Sequence, residues 1–167
     1  MRIWIFTFLA LALGSTLSAF RPIATASQDG MADVAIGGYD TVAYFVEGIP
    51  VRGSALLQYE WQGARWYFRT QENLRRFRAD PARFAPVHGG HCSFCVAASQ
   101  KVETAGDPTI FFIHGDRLYL LQSEEILTRW QRDPETHIRQ ADQVYNELLA
   151  TYNAALAQVT PRVATEG

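Results

Sequence analysis

Cysteine is scarce. The 167 residues include only two, both in Cys92-Ser93-Phe94-Cys95, and a pair so close in sequence closes too small a loop to stabilise a fold. The chain therefore needs a hydrophobic core of its own. Positive charge is also short: 15 basic residues against 17 acidic give a formal net charge of −2, which offers no basic face to neutralise phosphates and argues against general nucleic-acid binding. Beyond Met1 the only methionine is Met31, so there is no thioether cluster of the kind copper carriers use. No G-x-S-x-G, phosphate loop, dinucleotide fingerprint or H-E-x-x-H occurs. No catalytic residue is singled out, and the reading leans away from an enzyme. Finally, the longest apolar run, Ile3 to Leu13 broken only by Thr7, falls short of the roughly 20 residues that span a bilayer.

What is present suits one globular domain. An apolar share of 48% with 19% charged residues is not that of a disordered chain, and the length fits a single core. The start reads as a secretory signal peptide over residues 1–26: Met1-Arg2 supplies a positive charge, an apolar run follows, and Ala24-Thr25-Ala26 offers a cleavage site, with Leu17-Ser18-Ala19 as the alternative. The competing reading is an uncleaved anchor from Ile3 to Phe20, and only in that case is the membrane a partner. No cysteine lies near either cleavage site, so there is no lipoprotein signal. The expected location is the periplasm or the outside of the cell. Removing the leader takes Arg2 and Arg21 with it and leaves 13 basic residues against 17 acidic, a formal charge of −4. Residues 27–33 then form a flexible lead-in, 34–158 the folded domain with its C-terminal helix, and 159–167 a disordered tail.

Within the domain the fold class is α+β: a small antiparallel sheet of hairpins packed with short helices and a long C-terminal helix. Leu57 to Trp61 alternates apolar and polar, Gln62-Gly63-Ala64 turns, and Arg65 to Arg69 returns rich in aromatics, the pattern of a hairpin with Tyr59, Trp61, Trp66 and Phe68 on its packed face. Thr70 caps a helix over residues 71–79, and Asp80-Pro81 starts a further turn of helix. The six arginines from Arg65 to Arg83 form a local positive excess. Thr109 to Ile113 reads as a buried strand and Arg117 to Leu121 as its partner, across a His114-Gly115-Asp116 turn. Ser123 and then Asp133-Pro134 open two more helices. In the second, Ile138, Ala141, Tyr145, Leu148, Tyr152 and Ala155 make one apolar stripe. Its far end, beyond about Tyr152, is free to serve a protein partner.

The chemistry concentrates in His88-Gly89-Gly90-His91-Cys92-Ser93-Phe94-Cys95, which holds both cysteines and two of four histidines. Thiolate and imidazole together suit soft or borderline metals, copper or zinc. On that reading Cys92 and Cys95 ligate, with His91 as third ligand and His88 as fourth. Metal binding is the leading reading; the alternative is thiol–disulfide exchange, since a C-x-x-C pair at the start of a helix can carry a depressed thiol pKa, although no βαβ pattern surrounds it. A third reading makes both cysteines small packed residues in a noncatalytic interaction module that uses the C-terminal or the arginine-rich helix.

Several blocks together resemble a known family. Gly37-Gly38-Tyr39-Asp40-Thr41-Val42-Ala43-Tyr44-Phe45, Trp66-Tyr67-Phe68-Arg69-Thr70-Gln71-Glu72-Asn73, Phe77 to Pro86 and Gly89-Gly90-His91-Cys92 are similar, in order and spacing, to the exported YHS-domain-containing proteins of bacteria, over roughly residues 34 to 150. The resemblance implies a metal-binding domain and places Cys92 at a cysteine common in that family. Cys95 stands where relatives often carry a small residue such as alanine. The Y-F-C-x-x-C block of transporter-linked YHS domains is absent, since Arg69 follows Tyr67-Phe68.

Overall fold

The computed structural model describes residues 25–26, 33–99 and 104–159. Most of the proposed leader, lead-in and tail therefore lies outside the described residues, as does Met31. At the end of the segment expected to be the leader, Thr25–Ala26 forms a short strand, β1, antiparallel to β2 (Val34–Ala35).

The aromatic hairpin forms as its alternation dictates. β3 (Ser54–Trp61) and β4 (Ala64–Phe68) pair antiparallel with Tyr59 opposite Trp66 and Trp61 opposite Ala64. Only Gln62 and Gly63 make the turn, both with positive φ, as a type I′ hairpin requires. The Ala64 expected in the turn is thus the first residue of β4. β2 joins the other edge of β4 in parallel through Val34 and Arg65, so the larger sheet is mixed, in the order β1-β2-β4-β3.

Asp40 organises the first half. Its buried carboxylate caps α1 (Thr41–Val46), accepting from the Val42 amide at 2.9 Å and the Ala43 amide at 3.4 Å. The other oxygen accepts from the Arg69 amide and Asn73 Nδ2, both at 2.8 Å. One carboxylate thereby ties α1, the end of β4 and α2 (Gln71–Ala79) together. Thr70 caps α2 and Asp80 caps the single turn α3 (Pro81–Phe84), as their positions lead one to expect. The inner face of α2 drives Phe77, fully buried, among Trp66, Phe68 and Trp61, with ring centroids 5.0–5.9 Å apart. Burying a ring of this size stabilises the fold by about 2–3 kcal/mol.

The second half is a two-stranded sheet under a helix. β5 (Asp107–His114) and β6 (Arg117–Leu121) pair antiparallel across Gly115-Asp116. His114 is thus the last residue of β5, not part of the turn, with its ring stacked on Phe112. β5 is half-buried rather than buried: Phe111 and Ile113 pack beside Leu118 and Leu120 on one face and Ile110 and Phe112 beside Tyr119 and Leu121 on the other, each partly covered, while β6 supplies the core with Leu118 to Leu121. Ser123 caps α5 (Glu124–Trp130), and α6 (Pro134–Val159) lays Ile138, Ala141, Tyr145 and Leu148 on the core. The two halves meet where Tyr44 of α1, edge-on to Phe111, sends its hydroxyl to the Pro108 carbonyl at 2.7 Å. Burial, followed by the neighbouring acids, pushes that phenol well above its ordinary range. No helix among the described residues is long and apolar enough to cross a membrane.

Candidate functional site: the sulfur turn and its buried imidazole

Three successive left-handed residues, His88 (φ 57°), Gly89 (φ 64°) and Gly90 (φ 82°), bend the chain sharply between the two halves. Glycine adopts this conformation without steric penalty, but at His88 it costs about 1–2 kcal/mol. Tertiary contacts must hold it there. Gly90 in turn accepts the Gly106 amide at 3.0 Å, and a Cβ on Gly106 would overlap the Cβ of Leu120. That close approach lets residues 104–106 pin the turn, as the bridge from His91 to Ala105 and the Cys92 amide on the Thr104 carbonyl at 2.9 Å show, while β6 adds a bridge from Leu120 to Cys92.

The turn delivers Cys92 to the start of α4 (Ser93–Ser99). Cys92 and Cys95 are joined as a disulfide with Cα atoms 5.2 Å apart. The two sulfurs differ in access: Cys92 is fully buried, whereas Cys95 is half-buried. The Cys95 amide points at Cys92 Sγ from 3.3 Å, and Gln122 Oε1 stands 3.6 Å from Cys95 Sγ. A backbone N–H so placed stabilises negative charge on sulfur.

His88 has a different place from the one its spacing suggests. Its side chain is wholly buried, with Nδ1 2.9 Å from Ser93 Oγ and Nε2 3.0 Å from Asp142 Oδ1 of α6. Both ring nitrogens are therefore occupied, and His88 could reach a metal only by surrendering one of these bonds. Asp142 also takes a two-point contact from Arg117, at 2.8 and 3.0 Å. Its burial acts to raise the carboxyl, but the hydrogen bonds from His88 and Arg117 outweigh this and hold it well below the usual carboxylate range. The rings of Tyr145 and Tyr119 close around the imidazole at 5.3 and 6.0 Å, and burial pushes the Tyr145 phenol up to about 12.

Serine, imidazole and carboxylate in a row are the parts of a hydrolytic triad, yet Ser93 is fully buried and no substrate carbonyl can reach it. His91 is buried beside the cysteines. His114 and His137 serve elsewhere, the former 3.4 Å from Glu135 and the latter 3.2 Å from the Trp130 carbonyl. Among the described residues no group of three or more His, Cys, Asp or Glu side chains lies together as a metal cage would need. A four-ligand zinc site does not fit this donor set. Two sulfurs do fit a soft monovalent ion, once reduced, since a disulfide offers no thiolate.

Sequence spacing located the two cysteines but not Ser93, Asp142, Arg117 or Gln122. One signal was there for Asp142, a carboxylate set against the apolar stripe between Ala141 and Tyr145. On the far side of His88, a cleft of about 760 Å³ opens between the two halves, bounded by Trp61, Arg83, His88, Arg117 and Tyr152.

The family model described as YHS domain matches residues 42–87, from α1 to the residue before His88. Neither a curated protein nor a solved structure matches the chain.

Proposed function

The chain contains a YHS domain, and from that premise we propose that its activity is reversible thiol–disulfide exchange at Cys92 and Cys95. The observation that supports this reading is the bridge itself, between a half-buried Cys95 and a fully buried Cys92. The co-reactant is a small thiol or dithiol. Its thiolate attacks Cys95 Sγ, the bridge breaks, and the electron pair leaves on Cys92 Sγ beside the Cys95 amide. A second thiolate then attacks the reagent's sulfur in the mixed disulfide and releases Cys95. Two thiols are oxidised to one disulfide, and their two protons end on Cys92 and Cys95. An extracytoplasmic location, where disulfides persist, belongs to the same proposal.

The test is equilibration of the folded protein with graded dithiothreitol and glutathione buffers, with free thiols counted by alkylation and mass. A single two-electron transition from no thiols to two supports the reading. A bridge that opens only when the protein unfolds overturns it.

A second reading follows from the same pair. The YHS domain is often linked to copper, and the reduced cysteines supply two soft sulfurs; the residues that would hold the ion are Cys92 and Cys95. Bound there, copper(I) would be carried rather than used in catalysis. Competition with a colorimetric copper(I) chelator distinguishes it: stoichiometric copper(I) retention lost in Cys95→Ser supports carriage, and no retention by the reduced protein excludes it.

A further inference from the structure

A buried imidazole in a strained backbone, bonded at both nitrogens, needs an explanation that the exchange step does not supply. His88 reaches in one direction to Ser93, the residue directly after Cys92, and in the other to Asp142, 54 positions further along the chain. We infer that His88, anchored by Asp142, is a positioning residue that holds the sulfur turn closed through Ser93. This rests on the exchange reading above.

The protons fix how the grip works. Asp142 is a carboxylate and can only accept, so His88 carries its proton on Nε2. Nδ1 and the Ser93 hydroxyl share the second hydrogen bond, 2.9 Å long, in which a hydroxyl can take either role. Arg117 keeps Asp142 in place from the opposite side with its two-point contact. The groups around the ring are thus Ser93 from α4, Asp142 and Tyr145 from α6, and Tyr119 from β6. Each link in the chain Arg117–Asp142–His88–Ser93 leaves the next with one orientation.

The consequence falls on the reduced state. A disulfide holds its own sulfurs together, whereas a dithiol depends on the backbone to keep them in reach. With the grip intact, the reduced turn remains set for closure and the bridge is favoured. Without it the reduced turn relaxes, so reduction becomes easier. A change that weakens oxidised and reduced protein equally leaves the potential where it was, which separates positioning from general stability.

The experiment measures the reduction equilibrium of the wild type, Ser93→Ala, Asp142→Asn and, as a stability control, Leu74→Ala in the other core. The expected result is a shift toward the dithiol of about tenfold for Ser93→Ala, close to 30 mV, about threefold for Asp142→Asn, and none for Leu74→Ala. Nitrogen NMR of the oxidised protein should find a proton on His88 Nε2. An Nε2 without a proton, unmoved potentials in both site variants, or an equal shift in Leu74→Ala each overturns the inference while leaving exchange itself intact. A wild-type bridge that never equilibrates overturns the exchange reading and the inference with it.

Discussion

The segment matched by the YHS model and the segment that follows it are built for different ends. In the first, each prominent residue has a structural occupation: Asp40 gathers four donors, Phe77 fills a nest of rings, and Thr70 and Asp80 cap helices. In the second, the backbone is bent through three left-handed residues, and a buried hydrogen-bond chain surrounds a sulfur pair. Family likeness here marks a scaffold, and the cysteine pair sits just beyond its edge. Strain and buried polarity gathered in one place are the usual mark of function.

If that division holds, damage to the scaffold should cost stability and leave the redox chemistry unmoved. The largest effect is expected from Asp40→Ala, which strips four buried or half-buried donors of their acceptor. It should lower the unfolding free energy by about 4 kcal/mol, measured by urea titration, without shifting the Cys92–Cys95 equilibrium in the protein that remains folded. Next is Gly106→Ala. The added methyl must displace Leu120 or the strand that pins the turn, for about 2 kcal/mol of stability, and here the redox equilibrium should move as well.

Smaller changes sharpen the contrast. Gln122→Glu puts a negative charge beside the accessible sulfur, so reduction by anionic glutathione should slow about five- to tenfold, while the surface substitution alters stability by no more than about 0.5 kcal/mol. An unchanged rate would show that attack does not come from that side. Asp142 gives the pH test. Its folded-state carboxyl is depressed, so the stability it contributes is present above the ordinary carboxylate range, near pH 4, and is lost as pH falls from there through the folded value. The gap in urea midpoint between wild type and Asp142→Asn should therefore be full at pH 7 and close progressively below about pH 4.

Local rules made much of this molecule legible. Alternation with Gln62-Gly63 gave the first hairpin, and Thr70, Asp80, Ser123 and Asp133 announced their helices. The same rules did not give α1, because Thr41-Val42-Ala43-Tyr44-Phe45 has strand-like composition, and only the cap at Asp40 turns it helical. β2 is two residues long and meets β4 through a single pair, Val34 with Arg65, which leaves no pattern. At the site, His88 and His91 read as ligands because they stand three apart. The partner that claims His88 lies on a helix 54 residues away, and no spacing rule spans such a separation. The apolar stripe of α6 was visible from Ile138 to Ala155; it meets the core as far as Leu148, and Tyr152 lines the cleft beside His88.

The most direct measurement is the thiol count of folded, native protein across a series of dithiothreitol and glutathione buffers. The expected result is a reversible two-electron transition at Cys92 and Cys95 with the fold unchanged by circular dichroism. A bridge that stays shut until the chain unfolds, or cysteines that stay reduced under every oxidising buffer, would contradict a redox role for the sulfur turn.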